Sequence, residues 1–282
     1  MANKNILYFA TNAVVAIAYT GFAYLEGIPM DYWISEKLAG ITVDPENPRA
    51  MYFGKERYWR DIGLSLRVLT TELNKQKHVL KNRRDLFLVV HGWQWNSKGR
   101  LRPLVGCIGK TRQNNKFGIH YEPRDWYLKG ETQTIVAPRG FILREELSEF
   151  VKHLSGKSAH EVEGLLVDKV REVSRRCSLE GRSVVGPYCI SILLPPPSNP
   201  IISVRYYSAT SSAIPESQRL AEDQIVWAYS PWILSPRVCM PPSQIAGAPT
   251  YRIGPFTVCF EAEESSHPDY IFAITGHKRR KK

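Results

Sequence analysis

The chain has 282 residues, 43% hydrophobic and 23% charged, enough for one large globular domain or two modest ones and unlike a disordered composition. Its formal net charge is +11, but five of those charges are Lys278, Arg279, Arg280, Lys281 and Lys282, so the excess belongs in part to a basic tail. The five cysteines, Cys107, Cys177, Cys189, Cys239 and Cys259, are odd in number and form no CxxC pair, which argues against a disulfide framework or a zinc site and for thiols in a reducing cytoplasm.

Residues 6–25 are almost free of charge and long enough for a membrane helix. A signal peptide is a second reading, since Lys4 gives a positive start and Ala16-Ile17-Ala18 fits a small-x-small cleavage site. Thr11 and Asn12 interrupt the run with turn-forming residues. On either side stand Ile6–Phe9 and Ala13–Thr20, the second rich in strand formers and closed by Gly21. This favours two strands buried on both faces in a protein outside the membrane.

Pro29 suits a first helical position and Asp31 the positive end of a helix, so a helix is expected from Pro29 to Ala39, stopped by Gly40. A second helix is expected over residues 59–77, with Ile62, Leu66, Leu69 and Leu73 on one face. Residues 85–110 read as a strand, a polar turn around Gly99 and a return strand. RQNNKFG, residues 112–118, reads as a turn, and TQTIVAPRG, residues 132–140, as another strand. Helices follow over residues 143–154 and 159–177. In the second, Val162, Leu165, Leu166, Val170 and Val173 give an apolar stripe with Lys169 at its edge. YCISILLPPP and IISVRYYS are strands around a Pro-rich turn, and from residue 209 short strands among Pro and Gly suggest a β-rich appendage.

Three local motifs tempt and fail. LVVHGW, with His91, looks like an oxyanion-loop segment, but no G-x-S-x-G elbow exists: Gly63-Leu-Ser65 and Gly156-Lys-Ser158 both lack the closing Gly. GCIGKT, Gly106 to Thr111, lacks the first Gly of a phosphate loop and is followed by turn residues. The aromatic and basic residues of RDWYLK and RYW are scattered and build no recognisable nucleic-acid module.

The order is two strands, two helices, three strands, two helices, two strands. Blocks of this kind argue against βαβ winding and for helix pairs on two stacked sheets, a four-layer αββα sandwich. With AVVAIAYTG before the first helix and LREELSEF…EVEGLLVDKVREVSRR then CISILLPP as a later helix pair and its returning strand, the chain resembles the proteasome-type N-terminal-nucleophile hydrolases over residues 4–207.

That resemblance implies a proteasome-like domain over residues 1–208, beyond which lie a β-rich appendage, 209–276, and the basic tail, 277–282. It implies an N-terminal Thr, Ser or Cys whose own amine is the general base, an oxyanion-binding N–H near a helix start, and a supporting Lys and Asp. Here Met1-Ala2 supplies no nucleophile. Lys4 lies close to the family's lysine, and Arg176-Cys177-Ser178 stands where the family has Arg-Asp. Gly140 precedes the third helix and could mark a close backbone approach or a turn. Self-cleavage before Cys107 would discard a third of the fold. The expectation is a chain without peptidase activity, used for assembly or binding. Alternatives are a truncated form of an active threonine-type amidohydrolase, and a nucleic-acid-binding protein acting through a basic surface and Lys278, Arg279, Arg280, Lys281 and Lys282. No cofactor is expected. Expected partners are a second copy or related subunit, a peptide, or nucleic acid at the tail, and a membrane is disfavoured.

Overall fold

A computed structural model describes residues 4–21, 24–25, 27–40, 59–76, 86–110, 116–121, 144–181, 189–195, 199–207, 227–236, 239–242, 244–246 and 250–262. The fold is mixed α+β, with several sheets and few helices among the described residues. The chain divides into two compact units: residues 1–138 with 231–243, and residues 139–230 with 244–282.

The first unit begins with strands β1 (Asn5–Ala10) and β2 (Ala13–Thr20), paired antiparallel around the Thr11-Asn12 turn. The uncharged opening is therefore sheet, and among the described residues no helix is long and apolar enough to cross a membrane. A short pair, β3 (Tyr24–Leu25) and β4 (Ile28–Pro29), leads into helix α1 (Met30–Ala39). Pro29 caps this helix from within β4 instead of opening it, and Gly40 ends it in the left-handed conformation. Helix α2 (Ile62–Lys75) starts three residues later than expected because Asp61 is its N-cap, accepting the Leu64 N–H at 2.8 Å. Asn12 accepts the Ile62 N–H at 2.9 Å, so the β1–β2 turn fixes where α2 begins.

Strands β5 (Phe87–Trp95) and β6 (Leu101–Lys110) form the expected hairpin. β7 (Phe117–Tyr121) pairs with β6, so the last residues of the stretch expected as a turn are strand. Asn74 at the end of α2 explains this: its side chain bonds the Phe117 carbonyl at 3.0 Å and N–H at 2.8 Å. The seven-stranded sheet runs β12-β11-β1-β2-β5-β6-β7. Its first two strands are β11 (Trp232–Leu234), parallel to β1, and β12 (Cys239–Met240).

Helices α1 and α2 cover one face of this sheet. Ile6, Tyr8, Val15, Ile17, Leu88 and Val90 meet Trp33, Ile34, Leu66, Leu69 and Leu73 there. Each such buried side chain contributes roughly 2 kcal/mol. Leu7, Phe9, Val14 and Ala16 alternate onto the other face and are also buried.

The second unit contains helices α3 (Arg144–Leu154) and α4 (Ala159–Leu179), close to the expected spans. A capping box of Ser158 and Glu161 starts α4. The buried stripe of α4 is Glu163, Val167, Val173, Ser174 and Cys177, whereas Leu166 and Val170, expected inside, are exposed. The face is turned because Glu163 points inward to a strand arginine. That strand lies in a four-stranded sheet of order β14-β15-β9-β8. Its members are β8 (Cys189–Leu193), β9 (Ile201–Tyr207), β14 (Thr250–Ile253) and β15 (Phe256–Ala262), with β15 parallel to β9. A separate pair joins β10 (Trp227–Tyr229) to β13 (Gln244–Ala246). The stretch expected as an appendage, 209–276, thus supplies strands to the sheets of both units. The expected strand over 132–140 lies outside the described residues.

Candidate functional site

Lys4 directly precedes β1 and is exposed; its carbonyl accepts the Tyr19 N–H at 3.2 Å. The neighbouring positions on β2, Ala18 and Tyr19, offer no Ser, Thr or Cys nucleophile. The tail residues Lys278 to Lys282 and Gly140 lie outside the described residues. Sequence reasoning therefore brings no second functional group to Lys4.

The declined motifs resolve as strand. His91 sits in β5, opposite Ala16 and Val105. Gly106 and Gly109 sit in β6, where a Cβ would meet the His120 carbonyl oxygen at 2.9 Å and the Phe87 ring at 2.9 Å. These glycines make room for neighbouring strands and rings, which explains the GCIG pattern without a phosphate.

A polar cluster between α4 and β9 escaped the sequence reading. Arg205 Nη1 donates to Glu163 Oε2 and to His160 Nδ1, each at 2.9 Å. Glu163 is almost wholly buried, whereas the His160 side chain is exposed. An Arg donor makes His160 Nδ1 the acceptor in this contact, and the same nitrogen stands 3.5 Å from Glu163 Oε2. Burial first, then the hydrogen bond and charge of Glu163, push the Tyr207 phenol upward and keep it protonated. Capping α4 at Ser158 and alternating β9 place all four groups together. The sequence signal was a Glu on the stripe it shares with Val167 and Cys177, facing an Arg inside an apolar strand.

A second network joins α3 to α4. Lys169 donates to Glu146 and to Glu172, the latter at 2.9 Å, and Arg176 Nη2 reaches Glu146 Oε1 at 2.6 Å. The Arg176 hydrogen bond, then that of Lys169, holds the Glu146 carboxyl down to about 2. Arg176, read at the place of the family's Arg-Asp, here serves this bridge.

A third polar group is buried in the first unit. Asp31 accepts from Trp232 Nε1 at 3.2 Å, and Tyr32 packs edge-on against the Trp232 ring at 5.0 Å. The Tyr19 phenol is raised by burial and then by the Asp31 charge. Ser35 Oγ, buried on the same helix as Asp31, has no hydrogen-bond partner among the described residues.

Among the described residues no group of three His, Cys, Asp or Glu side chains is placed to hold a metal ion. Chemically, the α4–β9 cluster neutralises one cation with one carboxylate and places an imidazole at the surface. Among the described residues no hydroxyl or thiol nucleophile is bonded to that imidazole. No protein-family model, no curated protein and no solved structure matches this chain.

Proposed function

We propose that this chain is an αββα protein of the proteasome-like kind, without peptidase activity and used for assembly or binding. One observation carries the proposal: each of the two larger sheets bears a row of buried apolar residues on the face turned away from the helices of its own unit. In the first unit these residues are Leu7, Phe9, Val14 and Ala16. In the second, Arg205 points to α4, so the alternate residues Ile202 and Val204, with Val258 and Phe260 beside them, point away from it. In an αββα fold, sheet faces of this apolar kind are the ones that pack away from the helices. Two consecutive helices between β2 and β5, and two more before β8, support the same reading. For assembly, Leu166 and Val170 lie one turn apart on α4, and 39% and 38% of their surfaces are exposed.

The test is hydrolysis of fluorogenic peptide amides by the purified chain, beside its light-scattering mass over a concentration series. The expected result is no turnover and a mass above that of one chain. Turnover at the rate of an active threonine peptidase would overturn the lack of activity, and a monomer at every concentration would overturn self-assembly.

A further inference from the structure

The β5–β6 hairpin ends in a turn with one sign of charge. From residue 86 to residue 121 the sequence holds six Lys and Arg side chains and no Asp or Glu. Three of them, Lys98, Arg100 and Arg102, stand at the tip, and all three are exposed. Among the described residues no ion pair takes up any of the three.

The backbone of this tip is held in place. Asn96 Oδ1 accepts the N–H groups of Lys98 and Arg100, each at 2.9 Å. Gly99 takes φ +69° and donates its N–H to the Asn96 carbonyl at 2.9 Å. These bonds fix the turn from which the cations project. At the base of the turn the Trp95 N–H donates to the Asn12 carbonyl at 2.7 Å, which ties the hairpin to the β1–β2 turn and so to the start of α2. Asp61, the acid at that helix start, is engaged as the cap of the Leu64 N–H.

Two rings stand beside the cations. Trp93 and Trp95 lie on one face of β5, about 7 Å apart along the strand. Their cross-strand partners on β6 are Pro103 and Leu101, so this end of the face is apolar. Trp93 lies opposite Val14 on β2, yet both tryptophans are half-buried where Val14 is buried.

We propose that the tip of the β5–β6 hairpin binds single-stranded nucleic acid, with Lys98, Arg100 and Arg102 on the phosphates and Trp93 and Trp95 as stacking rings. Phosphates repeat along a strand and are met by several cations of one sign, as this turn presents them. Rings two residues apart suit successive bases of an extended strand, because every base offers a face to stack. An anionic bilayer also attracts cations and aromatic rings, but a hairpin that enters one carries apolar side chains at its apex. Here the apex is Asn96, Ser97, Lys98, Gly99 and Arg100. The inference rests neither on how the sheets stack nor on the assembly reading.

The experiment measures the fluorescence anisotropy of a labelled oligothymidylate of about 15 nucleotides with the full chain, between about 50 and 200 mM salt. Lys98→Gln, Arg100→Gln and Arg102→Gln combined are expected to weaken binding at least about tenfold and to reduce the salt slope by about 2. Replacing Lys278 to Lys282 by Gln is expected to leave that hairpin-dependent loss in place. Trp95→Leu is expected to weaken binding about tenfold, and Trp95→Phe much less, because a ring remains. The charge variants alter exposed side chains and serve if the tryptophan variants do not fold. No binding by the full chain, binding unchanged by the triple Gln replacement, or capture by phosphatidylserine vesicles that the oligonucleotide does not compete off would each overturn the proposal.

Discussion

The two units attach helix to sheet by different chemistry. In the first, α1 and α2 lie mainly on hydrocarbon: Leu66, Leu69 and Leu73 meet Tyr8, Val15 and Ile17, with buried hydrogen bonds between Tyr8 and Ser65 at 2.9 Å and from Trp232 to Asp31 at 3.2 Å, and no ion pair across helix and sheet is shown among the described residues. In the second, α4 meets β9 through Glu163 and Arg205, and α3 meets α4 through Glu146, Lys169 and Arg176. Apolar burial is nearly indifferent to salt and pH, whereas partly exposed ion pairs respond to both. The contrast teaches that two units of one chain can answer the same solvent change differently.

The largest test attacks the apolar unit. Gly92 has φ +154°, and a Cβ there would meet the Val14 carbonyl oxygen at 2.2 Å and Val15 Cα at 2.7 Å. Backbone must move, so Gly92→Ala is expected to cost about 4 kcal/mol through overpacking and strain together. Thermal melts should show the loss at low and high salt alike.

A smaller effect is expected in the second unit. Arg205→Met strands the buried Glu163 carboxylate and should cost about 3 kcal/mol, while Glu163→Gln in the same background should restore much of it. Hydrogen exchange should localise the loss to α4 and β9 and leave α2 protected. If the first unit opens equally, the two are one cooperative body and the contrast fails.

The smallest effect sharpens the comparison by pH. Because its folded value of about 2 lies below the ordinary carboxylate range, Glu146 contributes fully above that range. Its contribution disappears as pH falls from about 4 toward 2. Loosening of α3 against α4 should appear in that window by limited proteolysis, before α2 frays. Glu146→Gln should weaken the bridge at neutral pH by about 1 kcal/mol and remove the acid step.

Local rules made much of the first unit legible. The turn residues Thr11 and Asn12, the glycine after α1 and the four-residue stripe of α2 each carry their own cause within a few positions. The orientation of α4 was not legible, because Glu163 is turned inward by Arg205, 42 residues away. β7 was missed because Asn74, 43 residues upstream, supplies partners for Phe117. The same limit applies to sites: Lys4 could be named from position, but Arg205 meets His160 and Glu163 only where β9 lies against α4. Periodicity sees neighbours on one element and is blind to cross-strand company.

Trp232 gives β11 a consequence for biogenesis. The ring donates to an aspartate 201 positions earlier, and its strand lies along β1. A ribosome must therefore release most of the polypeptide before that flank of the sheet can close. Until then β1 presents open amide and carbonyl groups, a template for wrong pairing in the nascent chain. Delayed ring closure over so many residues makes completion of this sheet a late event in maturation.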